Sequence, residues 1–249
     1  SMVKERRNFW LEFDIRNHFK LGPVKYHNVV ASIKGTKYPD EYVIISGHLD
    51  SYDVATGGID CGTGIGPMME AARMIALSGA KPKRTILFVA FAGEEFGLLG
   101  AKSYVKTHAK ELGKIANLFN RDGGPTPPVG ISVPQAMYDD FVEVCKPVKE
   151  IRADYPFEVK VAKPFKRPTQ SGGTDASVFA VEGVPTFGFN TQDIKGYNFS
   201  YGEIWHTERD LYTKNIPEYQ EHAATVTAVV ALGIANLSKQ LSREGMHKK

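Results

Sequence analysis

Two cysteines, Cys61 and Cys145, are all that the 249 residues contain. That is too few for a disulfide scaffold, and it does not fix the redox compartment. Net charge is equally scarce: 31 basic against 28 acidic residues leave +3. No basic block or basic–aromatic stripe appears, so nucleic acid is not an expected partner. No apolar run approaches the roughly 20 residues needed to span a membrane. Internal repeats and low-complexity segments are also lacking. The opening Ser1-Met2 reads as an expression scar, so the lack of a signal peptide is not evidence for the cytoplasm. An oligomer is possible, but nothing in the sequence indicates one.

The remainder is ordinary for a globular α/β chain, 42% hydrophobic and 24% charged. Phe9, Leu11, Phe13 and Ile15 alternate with polar residues at the period of a half-buried strand. Gly22-Pro23 turns the chain into a hairpin partner over 26–34. Residues 42–47 and 84–91 are nearly continuous apolar runs, as in strands buried on both faces of a parallel sheet. Between them, 64–78 has helical spacing, with Gly79 as the stop. The pattern continues with a helix over 98–112, a strand over 115–120 and a helix over 139–153 interrupted at Pro147. A short helix over 174–182 leads into a strand over 184–189, and a long helix covers 217–240. Residues 122–137, with four prolines, read as loop, as do 188–205. The alternation predicts an α/β sandwich with a mixed sheet, antiparallel at the N-terminal edge and parallel inside. The expected organisation is a lead over 1–8, a catalytic domain over 9–241 and a solvated tail over 242–249.

Three candidate positions, His48, the Glu94-Glu95 pair and Asp122, fall just after expected strands. That edge of an open α/β sheet is where ligands bind. Asp60 lies in the glycine-rich turn Gly57-Gly58-Ile59-Asp60-Cys61-Gly62 just before a helix, and His206 lies in Trp205-His206-Thr207. Two imidazoles and three carboxylates suit two zinc ions sharing one carboxylate. With Asp60 as the bridge, His48 and Asp122 complete one ion, and Glu95 and His206 the other. Two Zn²⁺ against three carboxylates and a bridging hydroxide leave a near-neutral site with its nucleophile in place. Glu94, free of metal in this scheme, is the candidate general base. Asp50, two residues after His48, is expected to accept a hydrogen bond from the second imidazole nitrogen. Taken singly, each motif has a bland reading as turn chemistry, a solvated helix start or packing. Their joint order and placement carry the functional reading. His18, His27, His108, His222 and His247 lack such contexts and read as structural or exposed.

The chain resembles the co-catalytic dizinc aminopeptidase family, the zinc exopeptidases that include bacterial leucyl-type aminopeptidases and carboxypeptidase Q. The resemblance rests on Ser46-Gly47-His48-Leu49-Asp50-Ser51, Gly58-Ile59-Asp60-Cys61-Gly62-Thr63-Gly64 and Ala92-Gly93-Glu94-Glu95-Phe96-Gly97-Leu98-Leu99-Gly100-Ala101. Gly172-Gly173-Thr174-Asp175 and Trp205-His206-Thr207-Glu208-Arg209-Asp210 extend it. It implies a three-layer αβα sandwich of the phosphorylase/hydrolase-like type. It also implies two Zn²⁺ per chain, a peptide substrate cleaved at its end (commonly the N-terminus) and export from the cell. Helices, or in some relatives a protease-associated domain, are expected upstream of the first strand. Two departures stand out: Cys61 follows the bridging aspartate, and Ala176 replaces a histidine found in relatives such as carboxypeptidase Q. Cys61 reads as a buried packing residue beside the metals rather than a ligand.

Tyr197 and Tyr201 are candidates for bonding a developing oxyanion, and Asp175 is a further candidate substrate contact. A carboxypeptidase or dipeptidase needs a cation for the terminal carboxylate, with Arg121, Lys166, Arg167 and Arg209 as candidates. Glutaminyl cyclases share the fold but use one zinc and three ligands, and receptor-like relatives have lost ligands. The presence of all five ligands and Glu94 favours the peptidase.

Overall fold

The computed structural model describes residues 4–18, 20 and 22–248. Its elements are β1 (Val29–Ile33), β2 (Tyr38–His48), α1 (Gly62–Leu77), β3 (Arg84–Phe91), α2 (Leu99–Thr107), β4 (Ile115–Asn120) and β5 (Pro128–Pro134). They continue with α3 (Tyr138–Ile151), β6 (Glu158–Ala162), β7 (Phe165–Lys166), α4 (Asp175–Val181), β8 (Phe189–Thr191), α5 (Pro217–Asn236) and β9 (Met246–Lys248). The main sheet has the order β1-β3-β2-β4. Strand β1 runs antiparallel to β3, and the β2 pairings with β3 and β4 are parallel. A second sheet, β6-β5-β8, and the short β7-β9 pair complete the strands.

Strand alternation assigns the two faces. Val43, Ile45, Ile86, Phe88 and Ala90 enter one core with α1, α3 and α5 residues such as Met68, Phe141 and Val230. Ile44, Val89 and Phe91 point the other way, onto Ala101 and Tyr104 of α2 and Phe179 of α4. Each central strand is buried on both sides, which is why its sequence reads as an unbroken apolar run. The expected three-layer αβα arrangement is what forms.

Several expectations need correction. Residues 9–16 form no strand, and Trp10, Phe13 and Ile15 are exposed. An alternating pattern still needs a partner ladder, and β1 gives its hydrogen bonds to β3 instead. The proline-rich 122–137 segment contains β5, at the centre of the second sheet. Its two prolines stand at its first and last residues, where a missing N–H costs least. Helix α3 continues through Pro147, which faces solvent, so water can serve the carbonyl left free. The second helix ends at Thr107, and a 3-10 turn over Leu112–Lys114 follows. Of the strand expected over 184–189, only Phe189 joins a ladder, although Pro185 accepts a bond from Leu118 N–H.

The C-terminal stretch expected to be a solvated tail is part of the fold. Met246 and His247 are buried, and β9 pairs with β7. The Arg243 guanidinium donates to the carbonyls of Gly113 and Ile115, anchoring the segment beneath the sheet.

Candidate active site

His48 is the last residue of β2, Glu94-Glu95 follow β3 and Asp122 follows β4. The parallel strands deliver these side chains to one edge, and loops before α1 and after β8 add Asp60 and His206. His48 Nε2 lies 2.9 Å from Asp60 Oδ1 and 3.3 Å from Asp122 Oδ1. His206 Nε2 lies 2.9 Å from Glu95 Oε2 and 4.0 Å from Asp60 Oδ2. The five residues thus converge as two imidazole–carboxylate groups, with Asp60 turning one oxygen toward each.

The Asp60 turn is fixed from behind. Asp210, almost wholly buried, accepts the N–H of Ile59 at 2.7 Å and of Asp60 at 3.0 Å. Tight packing demands glycine at Gly58, where a Cβ would stand 2.3 Å from the backbone of Leu211 and Tyr212. Gly64 is equally confined, at 2.2 Å from the Arg121 carbonyl. The Asp60–Cys61 peptide is cis. His206 has a left-handed backbone, φ +58°. Its ring is sandwiched between Tyr52, at 4.2 Å, and Trp205, at 4.1 Å.

Asp50 departs from its expected role. His48 Nδ1 bonds the Asp50 backbone carbonyl at 2.9 Å, whereas the carboxylate stands 3.8 Å away. That carboxylate instead accepts the N–H groups of Glu94 and Glu95, each at 3.1 Å. One residue therefore orients the imidazole with its backbone and the Glu94-Glu95 turn with its side chain.

Electrostatics follow from crowding acids in a half-buried cleft. Burial pushes the Glu94 carboxyl up to about 8, with repulsion from Asp122 next. Glu95 is also raised, by burial and then by Asp60. Burial alone would lower His48, but hydrogen bonds to Asp122 and Asp60 outweigh it and favour the imidazolium. Burial opposes ionisation of Asp60, yet bonds from His48 and Tyr201 hold its carboxyl below the usual range. The His48 imidazolium, set between Asp60 and Asp122, offsets part of that crowding.

The donor set suits a divalent metal better than it suits protons. Donor atoms of His48, Asp60 and Glu95 lie within 4.8 Å of one another, as do those of His48, Cys61 and Asp122. Glu95 Oε1 is buried with no hydrogen-bond partner, an orphaned acceptor a cation would satisfy. Mixed imidazole and carboxylate donors are those of catalytic zinc.

A cavity of about 590 Å³ opens over these groups, lined also by Gly97, Leu98, Lys102, the Ser171–Thr174 loop, Tyr201 and Trp205. Tyr201 Oη donates to Asp60 Oδ2 at 2.9 Å, so this tyrosine reaches the site. Tyr197 does not: it is exposed and its hydroxyl bonds Glu218. Arg121 is no substrate cation either, since its guanidinium donates to the carbonyls of Thr63, Gly124 and Thr126. Arg167 is similarly engaged with the Val181 carbonyl. Asp175 is fully buried at the start of α4 with both oxygens unpartnered. Burial pushes it up to about 7, with His48 opposing and Asp122 and Asp50 adding. It lies behind the cavity wall rather than on it. Cys61 packs in the core, its Sγ donating to the Arg121 carbonyl at 3.0 Å.

Sequence reasoning missed the part played by Asp210, although it stands four residues after His206. It also missed the aromatic sandwich on His206 and the presence of Lys102 in the cavity. Only the spacing from Glu95 to Lys102, one helical start later, hinted at the last.

A family model described as Peptidase family M28 matches residues 28–230. Carboxypeptidase Q of Rattus norvegicus is 32% identical over 231 residues, covering 91% of this chain and 46% of that protein. The crystal structure of a peptidase M28 precursor from Shewanella amazonensis is similar at TM-score 0.71 and 34% identity, covering 86% of this chain and 46% of that one. A zinc aminopeptidase from Bacillus subtilis shares the fold at TM-score 0.63 and 21% identity, covering 89% of this chain and 53% of that one. The chain spans about half the length of the curated relatives it matches.

Proposed function

The chain belongs to peptidase family M28, and on that premise we propose that it is a zinc-dependent exopeptidase, an aminopeptidase releasing N-terminal residues from peptides. The observation that carries the reading is the paired geometry at Asp60, whose two oxygens face His48 at 2.9 Å and His206 at 4.0 Å. In this reading His48, Asp122 and Asp60 hold one zinc, and Glu95, His206 and Asp60 hold a second. When bound, zinc supplies Lewis acidity toward the scissile carbonyl and makes water acidic enough to attack near neutral pH.

The chain's own groups do the rest. Glu94 takes the proton from the attacking water and returns it to the leaving amine. Its raised carboxyl is suited to exchange protons near neutrality, and cations at the neighbouring cluster oppose the shift and keep it ionised. Asp50 fixes the Glu94-Glu95 backbone through two hydrogen bonds, so the base keeps its place beside the ligand. The Tyr201 hydroxyl, held at the cluster by Asp60, is positioned to turn toward a developing oxyanion. His48, whose imidazolium is favoured by Asp122 and Asp60, would have to be neutral to hold zinc, so zinc affinity is expected to fall with acidification.

Similarity to carboxypeptidase Q supports a second reading, cleavage next to a free C-terminus. The presence of residues for both half-sites argues against a single-zinc cyclase and against a receptor-like domain without chemistry. Export, expected from the resemblance, belongs to the same reading. No described helix is long and apolar enough to cross a membrane. Zinc-loaded protein assayed on free, N-blocked and C-amidated dipeptides tests the proposal. Loss of turnover on N-blocking supports the aminopeptidase, and cleavage of N-blocked peptides at undiminished rate refutes it.

A further inference from the structure

The two half-sites at Asp60 differ in depth. The His48 side chain is 1% exposed and is not part of the cavity lining, whereas His206 is 31% exposed and lines it. They differ in donors as well. Cys61, buried in the core, follows the shared aspartate, and its Sγ lies within 4.8 Å of the donor atoms of His48 and Asp122. The chain's other cysteine, Cys145, is buried in the hydrophobic core with Phe141 and Val148.

Glycines make the space that the sulfur fills. A Cβ at Gly47 would stand 3.2 Å from Sγ, and one at Gly64 2.5 Å. The thiol donates to the carbonyl of Arg121, the residue before Asp122, at 3.0 Å. It therefore sits between the two strand ends that carry His48 and Asp122. Zinc bonds of about 2.0–2.3 Å place tetrahedral donors about 3.5 Å apart. From a ceiling of 4.8 Å, little more than about 1 Å of approach is needed, and a partial rotation of Sγ about the Cα–Cβ bond covers it.

We infer that Cys61 is a fourth ligand at the His48–Asp122 half-site, a thiolate that closes this site and leaves the open position at the Glu95–His206 half-site. The inference rests on the zinc reading above and deepens it. Four protein donors suit a closed tetrahedral zinc, and three with a free position suit a catalytic one. His48, Asp60, Asp122 and Cys61 make four, and Asp60, Glu95 and His206 make three. The burial of His48 and the exposure of His206 follow the same division. Charge agrees too, because three carboxylates and a thiolate balance two Zn²⁺ where unpaired charge is costly. On ligation the S–H bond breaks, its proton passes to solvent and the electron pair left on sulfur forms the bond to the metal. A substrate carbonyl is then polarised at the cavity-facing half-site, beside Glu94.

The test loads metal-free protein with Co²⁺ alone and measures the cobalt retained by elemental analysis. The near-ultraviolet spectrum is then recorded, where a thiolate–cobalt bond gives an intense charge-transfer band that imidazole and carboxylate ligands do not. Wild type is expected to show the band and Cys145→Ser to keep it, which leaves Cys61 as its source. Cys61→Ser is expected to lose the band while still holding cobalt. In zinc calorimetry the same variant weakens the His48–Asp122 event by at least about 10- to 100-fold, the cost of losing even a supporting group, and spares the other event. A packing role alone would lower zinc affinity without any band in the wild type. Cobalt held by the wild type without the band, or a band that survives Cys61→Ser, overturns the sulfur ligand and leaves the two half-sites standing. Failure of the wild type to retain cobalt overturns the metal reading and this inference with it.

Discussion

Replacing Asp50 with alanine separates two roles that one residue combines. The variant keeps the backbone carbonyl that receives His48 Nδ1 at 2.9 Å. It removes the carboxylate that accepts the N–H groups of Glu94 and Glu95, each at 3.1 Å. Hydrogen bonds to a charged group contribute about 1.5–3 kcal/mol each. The carboxylate is 19% exposed, so water replaces part of the loss. About 2–3 kcal/mol then falls on the Glu94-Glu95 turn, or roughly 30- to 150-fold in an equilibrium or rate. The expected outcome is weaker zinc binding at the Glu95–His206 half-site and lower kcat, with the His48–Asp122 half-site little changed. Calorimetric zinc titration resolves this, with His48→Ala and His206→Ala assigning the two binding events. If the His48–Asp122 event weakens while the other stands, the carboxylate orients the imidazole after all and the reasoning fails.

Other outcomes follow from the same geometry. Glu94→Gln is expected to retain zinc and lose about 10²- to 10⁴-fold in kcat; unchanged turnover would remove Glu94 as the base. Gly58→Ala drives a methyl to within 2.3 Å of the Leu211–Tyr212 backbone. It should cost about 1–3 kcal/mol in denaturant unfolding, and a neutral result would show that the turn can shift. His222 is fully buried and stacked on Tyr155, and burial pushes it down to about 4 from 6.5. Between those pH values the unfolded chain binds a proton that the folded one refuses, so stability falls on acidification from 6.5 toward 4. The loss is about 3 kcal/mol. Urea unfolding at stepped pH should show this slope in the wild type and a flatter one in His222→Gln; equal slopes would contradict it.

Much of the site was legible because strand ends are legible. The apolar runs over 42–47 and 84–91 are buried on both faces, so the polar residue after each had to emerge at the sheet edge. His48 and Glu94-Glu95 follow directly. Asp60 and Asp210 differ in this respect. The glycines around Asp60 announce a tight turn, whereas the clamp on its backbone comes from 150 residues away, beyond any local pattern. Asp50 was misread because spacing shows where a residue lies but not which of its oxygens is used. Arg121 looked like a free cation because sequence does not show the three carbonyls that surround it. The failed strand at 9–16 and the hidden strand β5 share a cause. Pairing decides both, and pairing overrides an alternating pattern in one and a proline-rich sequence in the other.

The central claim is that Asp60 joins two metal half-sites. Zinc per chain at saturation, measured by elemental analysis on wild type and Asp60→Asn, tests it most directly. Two zinc ions in the wild type and impaired loading in the variant are expected. One zinc at saturation in the wild type, or a fully loaded dizinc Asp60→Asn protein, would contradict the bridge.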